Sequence, residues 1–372
     1  MKKRKIIISI SIFLLLGLTF TFLSAQKYEI PDNKELNKRL NYLKRAINEQ
    51  SEINALSSQN PEFVLFSYAF SAYSATNLAL KDSIFKKKAV NIIKTSIEKT
   101  LQEDVYSWYN IDFEQFTQNS DYSVLYLGHL NLMLGCYRLL SDNQEFNRLN
   151  DKISKNLFER YQKSKFLNLE SYPSQIWLPD NSVALASLKL HEHNAKSNYG
   201  SICKKWTDFV KQHYLDEKTS VLCSKIDAQT GEISEEPRGS MLGWSIMFIY
   251  QFDEDFAKTL YKNYKKHFST NFLIFRLFKE RYKNSETSTG DIDSGLILFG
   301  YSIPANEFAF FGAVMANDLR TAKQIERLIN FGAKIINKNN EIKYKIRFIN
   351  YNFSPMQEAL VLFSMTATKW TK

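Results

Sequence analysis

Apolar and charged stretches alternate along this chain with a long, regular period. Mostly apolar segments recur about every 60 residues. They begin near Glu62, Asp121, Asp180, Gly239, Ile303 and Phe353. Each follows a segment rich in lysine and glutamate, in which apolar residues recur at the spacing of an amphipathic helix. The pattern predicts alternating helices of two types, one buried on all sides and one with a single solvent-exposed face.

A strict alternation of buried and amphipathic helices is typical of a closed ring of helical hairpins. The apolar helices would form an inner ring, and the charged helices an outer ring. The predicted fold class is therefore all-α, an (α/α)6 barrel or toroid with small β-hairpin insertions. No Pro-, Gly- or Ser-rich linker divides the chain. We therefore expect residues 30–372 to form one toroid domain.

The connection lengths predict where a site would lie. Passages from an apolar helix to the next charged helix are short, whereas most in the other direction are long, as over residues 215–238 and 268–302. In a ring of hairpins the long loops emerge on one face. Long loops in compact domains usually carry function, and ligand sites are usually concave. We expect a site at this face; the alternative is that the loops only cover the end of the ring.

The N-terminal 25 residues have the pattern of a targeting segment. Basic residues at positions 2–5 precede an apolar stretch over residues 6–23, and Ala25 offers a small residue for cleavage. Residues 1–25 are predicted to be a signal peptide or an uncleaved membrane anchor. Both alternatives predict an exported protein that is periplasmic or anchored to the inner membrane.

Charge and motifs exclude several classes of partner. The net charge is +10, but the basic residues are scattered and form no clustered stripe of the kind that binds nucleic acid. Association with a membrane and assembly into a homo-oligomer stay open. Cys136, Cys203 and Cys223 cannot all pair, so no disulfide framework is indicated. Motifs for nucleotide binding and standard metal sites do not occur, so we predict no cofactor and no metal.

One apolar segment carries a resemblance to a known family. The stretch 126–133 reads YLGHLNLM, and Gly135 and Tyr137 follow it. It resembles a segment of linalool dehydratase-isomerase, an exported bacterial enzyme family with an (α/α)6 barrel. Residues 66–73 and 181–184 are similar to the first and third inner helices of that family. The resemblance implies a hydro-lyase or isomerase that acts on a hydrophobic alcohol, with His129 in its site.

The same family has two cysteines near the start of its third inner helix, and this chain keeps neither. Asp180 stands directly before Asn181, and Ser171 lies near the upstream cysteine position. A thiol and a carboxylic acid differ in pKa by several units. The resemblance therefore implies the fold, the location of the site and His129, but not the same proton chemistry.

Four residues are candidates for acid–base catalysis. His129 lies within an inner helix, and its ordinary pKa suits proton transfer; the alternative is a hydrogen-bonded core histidine. Asp180 follows Pro179 at a helix start, where it could also serve as the N-cap. Asp291 and Asp293 lie two residues apart in a glycine-bounded loop. If they were close, the pKa of one would rise and the two could divide acid and base roles; the alternative is turn formation.

The long loops also supply candidates for substrate binding. Glu235 and Arg238 precede the fourth inner helix, where the arginine could pair with the glutamate or bind an anionic group. Aromatic side chains from these loops and from one inner helix could stack on sugars or enclose apolar chains. These aromatic candidates are Tyr106, Trp108, Tyr126, Tyr172, Trp177 and Tyr301.

Three functions remain in competition. By resemblance, the first is a hydro-lyase or isomerase in which His129 and Asp180 exchange protons with a hydrophobic alcohol and Asp291 or Asp293 completes the set. The second is a glycoside hydrolase or lyase with Asp180 and Asp293 as paired carboxylates on a glycan. The third is a non-catalytic binding protein of the cell envelope.

Overall fold

The computed structural model describes residues 22–109, 123–282, 290–295, 297–347 and 350–371. Within these ranges the chain forms alternating outer and inner helices. The outer helices are α1 (Asn33–Glu49), α3 (Lys86–Thr100), α5 (Asn147–Lys163), α7 (Ser201–His213), α9 (Glu254–Phe268) and α11 (Leu319–Gly332). The inner helices are α2 (Glu62–Lys81), α4 (Val124–Leu140), α6 (Leu178–Ala195), α8 (Gly239–Phe252), α10 (Ile303–Met315) and α12 (Pro355–Met365).

The inner helices form a closed ring. Each packs against the inner helix that precedes it, and α12 packs against α2, so the last hairpin meets the first. Every residue from Val64 to Leu78 of α2 is buried, as expected of a helix that is covered on all sides. The outer helix α5 instead buries a single stripe that includes Ile153, Leu157 and Tyr161. The predicted (α/α)6 toroid is confirmed.

Helix boundaries follow local capping chemistry. The predicted starts of α2, α8 and α10 agree with the structure, whereas α12 begins two residues after Phe353 because Ser354 forms a capping box with Gln357. The predicted start at Asp121 lies outside the described residues, and so do residues 1–21 of the predicted targeting segment. That segment therefore stays a prediction.

Small antiparallel β-structures occupy the long loops, as predicted. Strands β1 (Gln175–Trp177), β2 (Lys225–Asp227) and β3 (Ile233–Glu235) form one sheet, with Ile176 opposite Ile226. Two-stranded hairpins follow, formed by β4 (Ser269–Phe272) with β5 (Phe275–Phe278), β6 (Ile297–Leu298) with β7 (Tyr301–Ser302), and β8 (Ala333–Lys338) with β9 (Glu341–Ile346). The three-stranded sheet joins the loops that precede α6 and α8.

Aromatic side chains fill the axis of the ring. Phe70 of α2 packs against Trp244 of α8, with ring centroids 5.1 Å apart, and against Phe363 of α12 at 5.7 Å. Tyr73, one turn further along α2, contacts Phe248 of α8 at 5.9 Å. Because α2 and α8 lie opposite each other in the ring, these contacts close the axis with packed side chains.

Helix α2 also has the length and hydropathy of a membrane-spanning segment. Of its most apolar window, 89% is buried inside the ring, which is the behaviour of a core helix. All three cysteines are buried and none forms a disulfide. Cys136 lies in an inner helix, Cys203 in an outer helix and Cys223 in a loop.

Close packing between inner helices depends on glycine at one crossing. A Cβ added to Gly243 of α8 would lie 2.6 Å from the Cβ of Phe308 of α10. We expect Gly243→Ala to lower the free energy of unfolding by about 1–3 kcal/mol, because the two helices must move apart. Gly332→Ala is the matched control, since its added Cβ meets nothing within 4 Å. Chemical denaturation measures both variants; equal stability of the two would contradict the packing argument.

Candidate functional site

A cavity of about 350 Å³ opens at the end of the ring where the inner helices begin. All six inner helices contribute residues from their first two turns, and two of the long loops add the rest. The apolar and aromatic lining includes Phe63, Phe66, Leu125, Tyr172, Trp177, Met241, Trp244, Ile292, Phe308, Met356 and Leu360. The volume falls in the range of small-molecule sites. The site therefore lies at the face that the loop lengths predicted.

Four carboxyl groups line this cavity: those of Glu62, Asp180, Asp293 and Glu307. Burial raises the pKa of each, because a charged carboxylate loses its hydration in the cavity. The pKa rises to about 8 for Glu62, about 7 for Asp180, about 6 for Asp293 and about 8 for Glu307. The negative charges of Asp180 and Asp293 also raise the pKa of Glu62. Glu62, Asp180 and Asp293 thus share one electrostatic environment, whereas the neighbouring charge that acts on Glu307 is that of Glu358.

Asp180 sits in the first turn of α6. Trp177 is the N-cap of this helix, and Asp180 makes no capping hydrogen bond, so the alternative role of Asp180 as an N-cap is wrong. The Asp180 side chain is only 6% exposed. Its carboxyl is hydrogen-bonded to Ser171, which opposes part of the increase in pKa caused by burial. This bond orients the carboxyl at the cavity wall.

Asp293 lies at the cavity beside the buried side chain of Arg238, which does not itself line the cavity. The Arg238 guanidinium is 2.8 Å from Glu280 and 2.7 Å from Asp291. It lies 3.8 Å from the Asp293 carboxylate. Its positive charge opposes the increase in the pKa of Asp293 that burial causes. Asp293 is therefore the lining acid that ionises at the lowest pH.

Asp291 does not line the cavity. Burial would raise its pKa, but hydrogen bonds from Ser294 and Arg238 outweigh this effect and lower the pKa. The carboxylate of Asp291 also accepts the backbone N–H of Asp293 at 3.1 Å. The two aspartates therefore have different positions. Asp291 stabilises the loop through its hydrogen bonds, and the Asp293 side chain lines the cavity.

His129 lies behind the cavity wall. Its ring packs against Phe66 and Trp244, two residues that line the cavity, with centroids 5.3 and 5.7 Å apart, while His129 itself is not part of the lining. Nδ1 is hydrogen-bonded to the Tyr73 hydroxyl at 2.9 Å. Complete burial lowers the pKa of His129 to about 3, so the imidazole is neutral. The histidine that the sequence placed in the site is one residue layer away from it.

Tyr172 and Trp177 are the two predicted binding residues that line the cavity. The others lie elsewhere. Trp108 contacts Tyr172 from outside at 6.1 Å, and Tyr106 lies in the neighbouring short helix. Tyr126 donates to the carbonyl of Thr100, Tyr301 donates to Thr270, and Glu235 pairs with Arg281. Arg238 is buried among carboxylates and lies outside the lining.

Sequence reasoning did not single out Glu62 and Glu307 as site residues. Both carried a signal: Glu62 opens an apolar helix as Asp180 does, and Glu307 is an acid inside the apolar stretch IPANEFAFFGAVM. In a helix buried on all sides, a carboxyl group must find a partner or a cavity. The structure provides the cavity. Among the described residues, no group of three or more His, Cys, Asp or Glu has the arrangement of a metal site.

Comparison with known proteins supports the fold. No family model matches the sequence. A glycoside hydrolase from family 105 of C. acetobutylicum ATCC 824 is similar over 85% of this chain and 97% of its own, with 14% identity and a TM-score of 0.55. An unsaturated glucuronyl hydrolase from Bacillus sp. GL1 is similar over 81% and 85%, with 9% identity and a TM-score of 0.54. These structures share the α/α-toroid fold; they do not show a family like linalool dehydratase-isomerase.

The raised pKa values predict how stability depends on pH. Glu307 is protonated in the folded protein up to about pH 8, whereas an exposed glutamate ionises near pH 4.5. The folded state therefore binds the extra proton between these values, and its stability falls as the pH rises through this window. We expect Glu307→Gln to raise the free energy of unfolding at pH 8.5 by on the order of 3 kcal/mol and to change it little at pH 4.

The matched control is Glu159→Gln, because Glu159 is half exposed on outer helix α5. Urea denaturation at the two pH values measures both variants. A Glu307→Gln variant whose stability relative to the parent does not change with pH would show that Glu307 ionises normally.

Proposed function

We propose that this protein is a glycan-processing enzyme of the glycoside hydrolase type, with Asp180 and Asp293 as its general acid and general base. The observation that carries the proposal is the group of four carboxyls in one aromatic-walled cavity, of which Asp180 and Glu307 are buried and Glu62 and Asp293 are partly buried. Glycoside hydrolysis needs two carboxyl groups of different protonation state beside the bond that is cleaved. Solved structures of the same fold include glycoside hydrolases, which agrees with the proposal.

The two roles follow from the electrostatics. Asp293 lies near Arg238, and its pKa of about 6 leaves it mostly ionised at pH 7. Asp180 has a pKa of about 7 and keeps a proton to donate. In the proposed reaction, a water oxygen bonds to the anomeric carbon and the bond to the leaving oxygen breaks. Asp293 takes a proton from the water, and Asp180 gives its proton to the leaving oxygen.

Aromatic rings supply the sugar-binding surface. Trp177, Tyr172 and Trp244 line the cavity together with the acids. Flat aromatic faces pack against the apolar faces of sugar rings and leave the hydroxyls free to bond to carboxyl groups. Because aromatic side chains fill the ring axis beneath the cavity, the pocket is closed below and suits the end of a glycan chain.

A second candidate is favoured by the apolar part of the lining. Phe63, Leu125, Met241 and Leu360 would suit a hydrophobic alcohol, the substrate class that the sequence resemblance implies. Asp180 would then protonate the leaving hydroxyl, and Asp293 would accept a proton from the adjacent carbon. Formation of an alkene from a terpene alcohol, without release of reducing ends from any glycan, would favour this reaction over hydrolysis.

The segment at positions 1–25 supports a location outside the cytoplasm, and we include export in the proposal. Fractionation of cells that express the full chain tests this part. Full-length protein in the cytosolic fraction would contradict it.

We expect Asp180→Asn and Asp293→Asn each to lower kcat by about 10²–10⁴-fold, because each removes one proton-transfer group. Asp208→Asn is the matched control, since Asp208 is an exposed residue on α7 that pairs with Lys204. Release of reducing ends from a panel of oligosaccharides measures activity. Full activity in either site variant would sink the assignment.

The same pKa values predict a bell-shaped pH profile for the parent protein. Activity should rise as Asp293 ionises near pH 6 and fall as Asp180 loses its proton near pH 7. The optimum should therefore lie between these values. An optimum above pH 8 would contradict the assignment of Asp180 as the acid.

A further inference from the structure

The side chains lining the cavity that can carry a charge near neutral pH are all carboxylic acids. Glu62, Asp180, Asp293 and Glu307 face it, and no lysine, arginine or histidine does among the residues that the structure describes. Arg238, which lies beside Asp293, bonds to Glu280 and Asp291 outside the lining. The Lys225 ammonium lies 5.0 Å from the centre of the Trp177 ring but outside the lining. Inside the cavity an anionic ligand would therefore meet carboxyl groups and no cation.

Glu307 is the most informative of these acids. It is only 7% exposed, and it lines the cavity from the second turn of α10. Its carboxyl has no hydrogen-bond or ion-pair partner among the described residues, and the acid behind it, Glu358, is bonded to Tyr344 and faces Arg39. A buried polar group without a partner is costly. A hydrogen-bond or ion-pair partner for the Glu307 carboxyl would therefore have to be a molecule bound in the cavity.

Aromatic faces complete the chemistry of the pocket. Trp244 and Phe308 lie on the same wall as Glu307, with ring centroids 5.5 Å apart, and Trp177 lines the loop side. Aromatic faces together with carboxylates are the groups that bind ammonium ions in proteins. The lining is therefore complementary to a ligand that combines an apolar ring face with a positive charge.

We propose that the cavity binds a sugar that carries a primary amine, with the ammonium group at Glu307, and that it excludes sugar acids. This assignment names the substrate class of the proposed function and rests on it. The unsaturated glucuronyl hydrolase that shares the fold is named for an acidic sugar. The acidic lining of this cavity predicts the opposite preference.

Proton release supplies a readout that does not depend on turnover. With pKa values of about 8, Glu62 and Glu307 are mostly protonated at pH 7. Asp180, with a pKa of about 7, is partly ionised, and Asp293, with a pKa of about 6, is mostly ionised. An ammonium group beside Glu307 favours its carboxylate form, so binding should expel a proton into the buffer. A neutral sugar has no such effect.

The experiment is isothermal titration calorimetry of the full chain at pH 7 in phosphate and in MOPS, two buffers without a primary amine, with D-glucosamine, D-glucose and D-glucuronate as probes. These buffers differ in ionisation enthalpy, so a difference in heat between them reports proton release. We expect glucosamine to bind about tenfold more tightly than glucose, as one charge-assisted hydrogen bond would give. Glucuronate should bind most weakly, and only glucosamine should release protons.

Glu307→Gln should remove the preference, weakening glucosamine binding about tenfold while glucose binding stays similar. Glu159→Gln, on the outer surface, should behave as the parent protein does. The inference is overturned if glucuronate binds as tightly as glucosamine, if glucosamine and glucose bind equally, or if none binds at millimolar concentration. Selective glucosamine binding without hydrolysis of any glycan would instead overturn the proposed reaction and leave the ligand assignment standing.

Discussion

The packing of aromatic rings across the toroid axis is the interaction on which the rest of the structure depends. Phe70 of α2 meets Trp244 of α8, and Phe363 of α12 completes the contact. These side chains bury the axial faces of the inner helices, while the outer helices bury the opposite faces. Carboxyl groups in the inner helices therefore either have partners or reach the cavity. Glu62 and Asp180 lie in the first turns of inner helices and Glu307 in a second turn, where the cavity opens, while Asp293 reaches the cavity from a loop.

Burial and charge then separate four similar groups. Each lining carboxyl loses hydration, but only Asp293 has a nearby cation that favours its ionised form. That cation, Arg238, is held by Glu280, and Glu280 in turn accepts hydrogen bonds from Ser240 and Ser302 at the starts of α8 and α10. The ionisation of one site residue is thus set by the same contacts that anchor two inner helices. Arg238 itself does not line the cavity.

The ring could be predicted from the sequence because its cause is a repeating pattern. The position of Asp180 at the mouth could be predicted too, since an acid that opens an apolar helix has few other places. Whether Asp180 caps the helix could not be predicted. The helix already begins at Leu178, so its N-cap is Trp177 and not Asp180. Glu307 stands out as an acid in an apolar helix, but its place in the cavity could not be predicted, because a helix that is apolar on every side gives no indication of which side faces the axis. The same ambiguity explains why His129 was expected in the cavity and lies behind it.

Because side chains fill the axis of the ring, a ligand has one route into and out of the cavity. A ring with an open channel could let a polymer pass through and be cut at any point along its length. Here the aromatic side chains packed below the acids close the inner end of the cavity. A molecule that enters the cavity must therefore leave through the same opening. If the protein cleaves glycans as proposed, a released fragment would have to leave through this opening before the next chain end could enter.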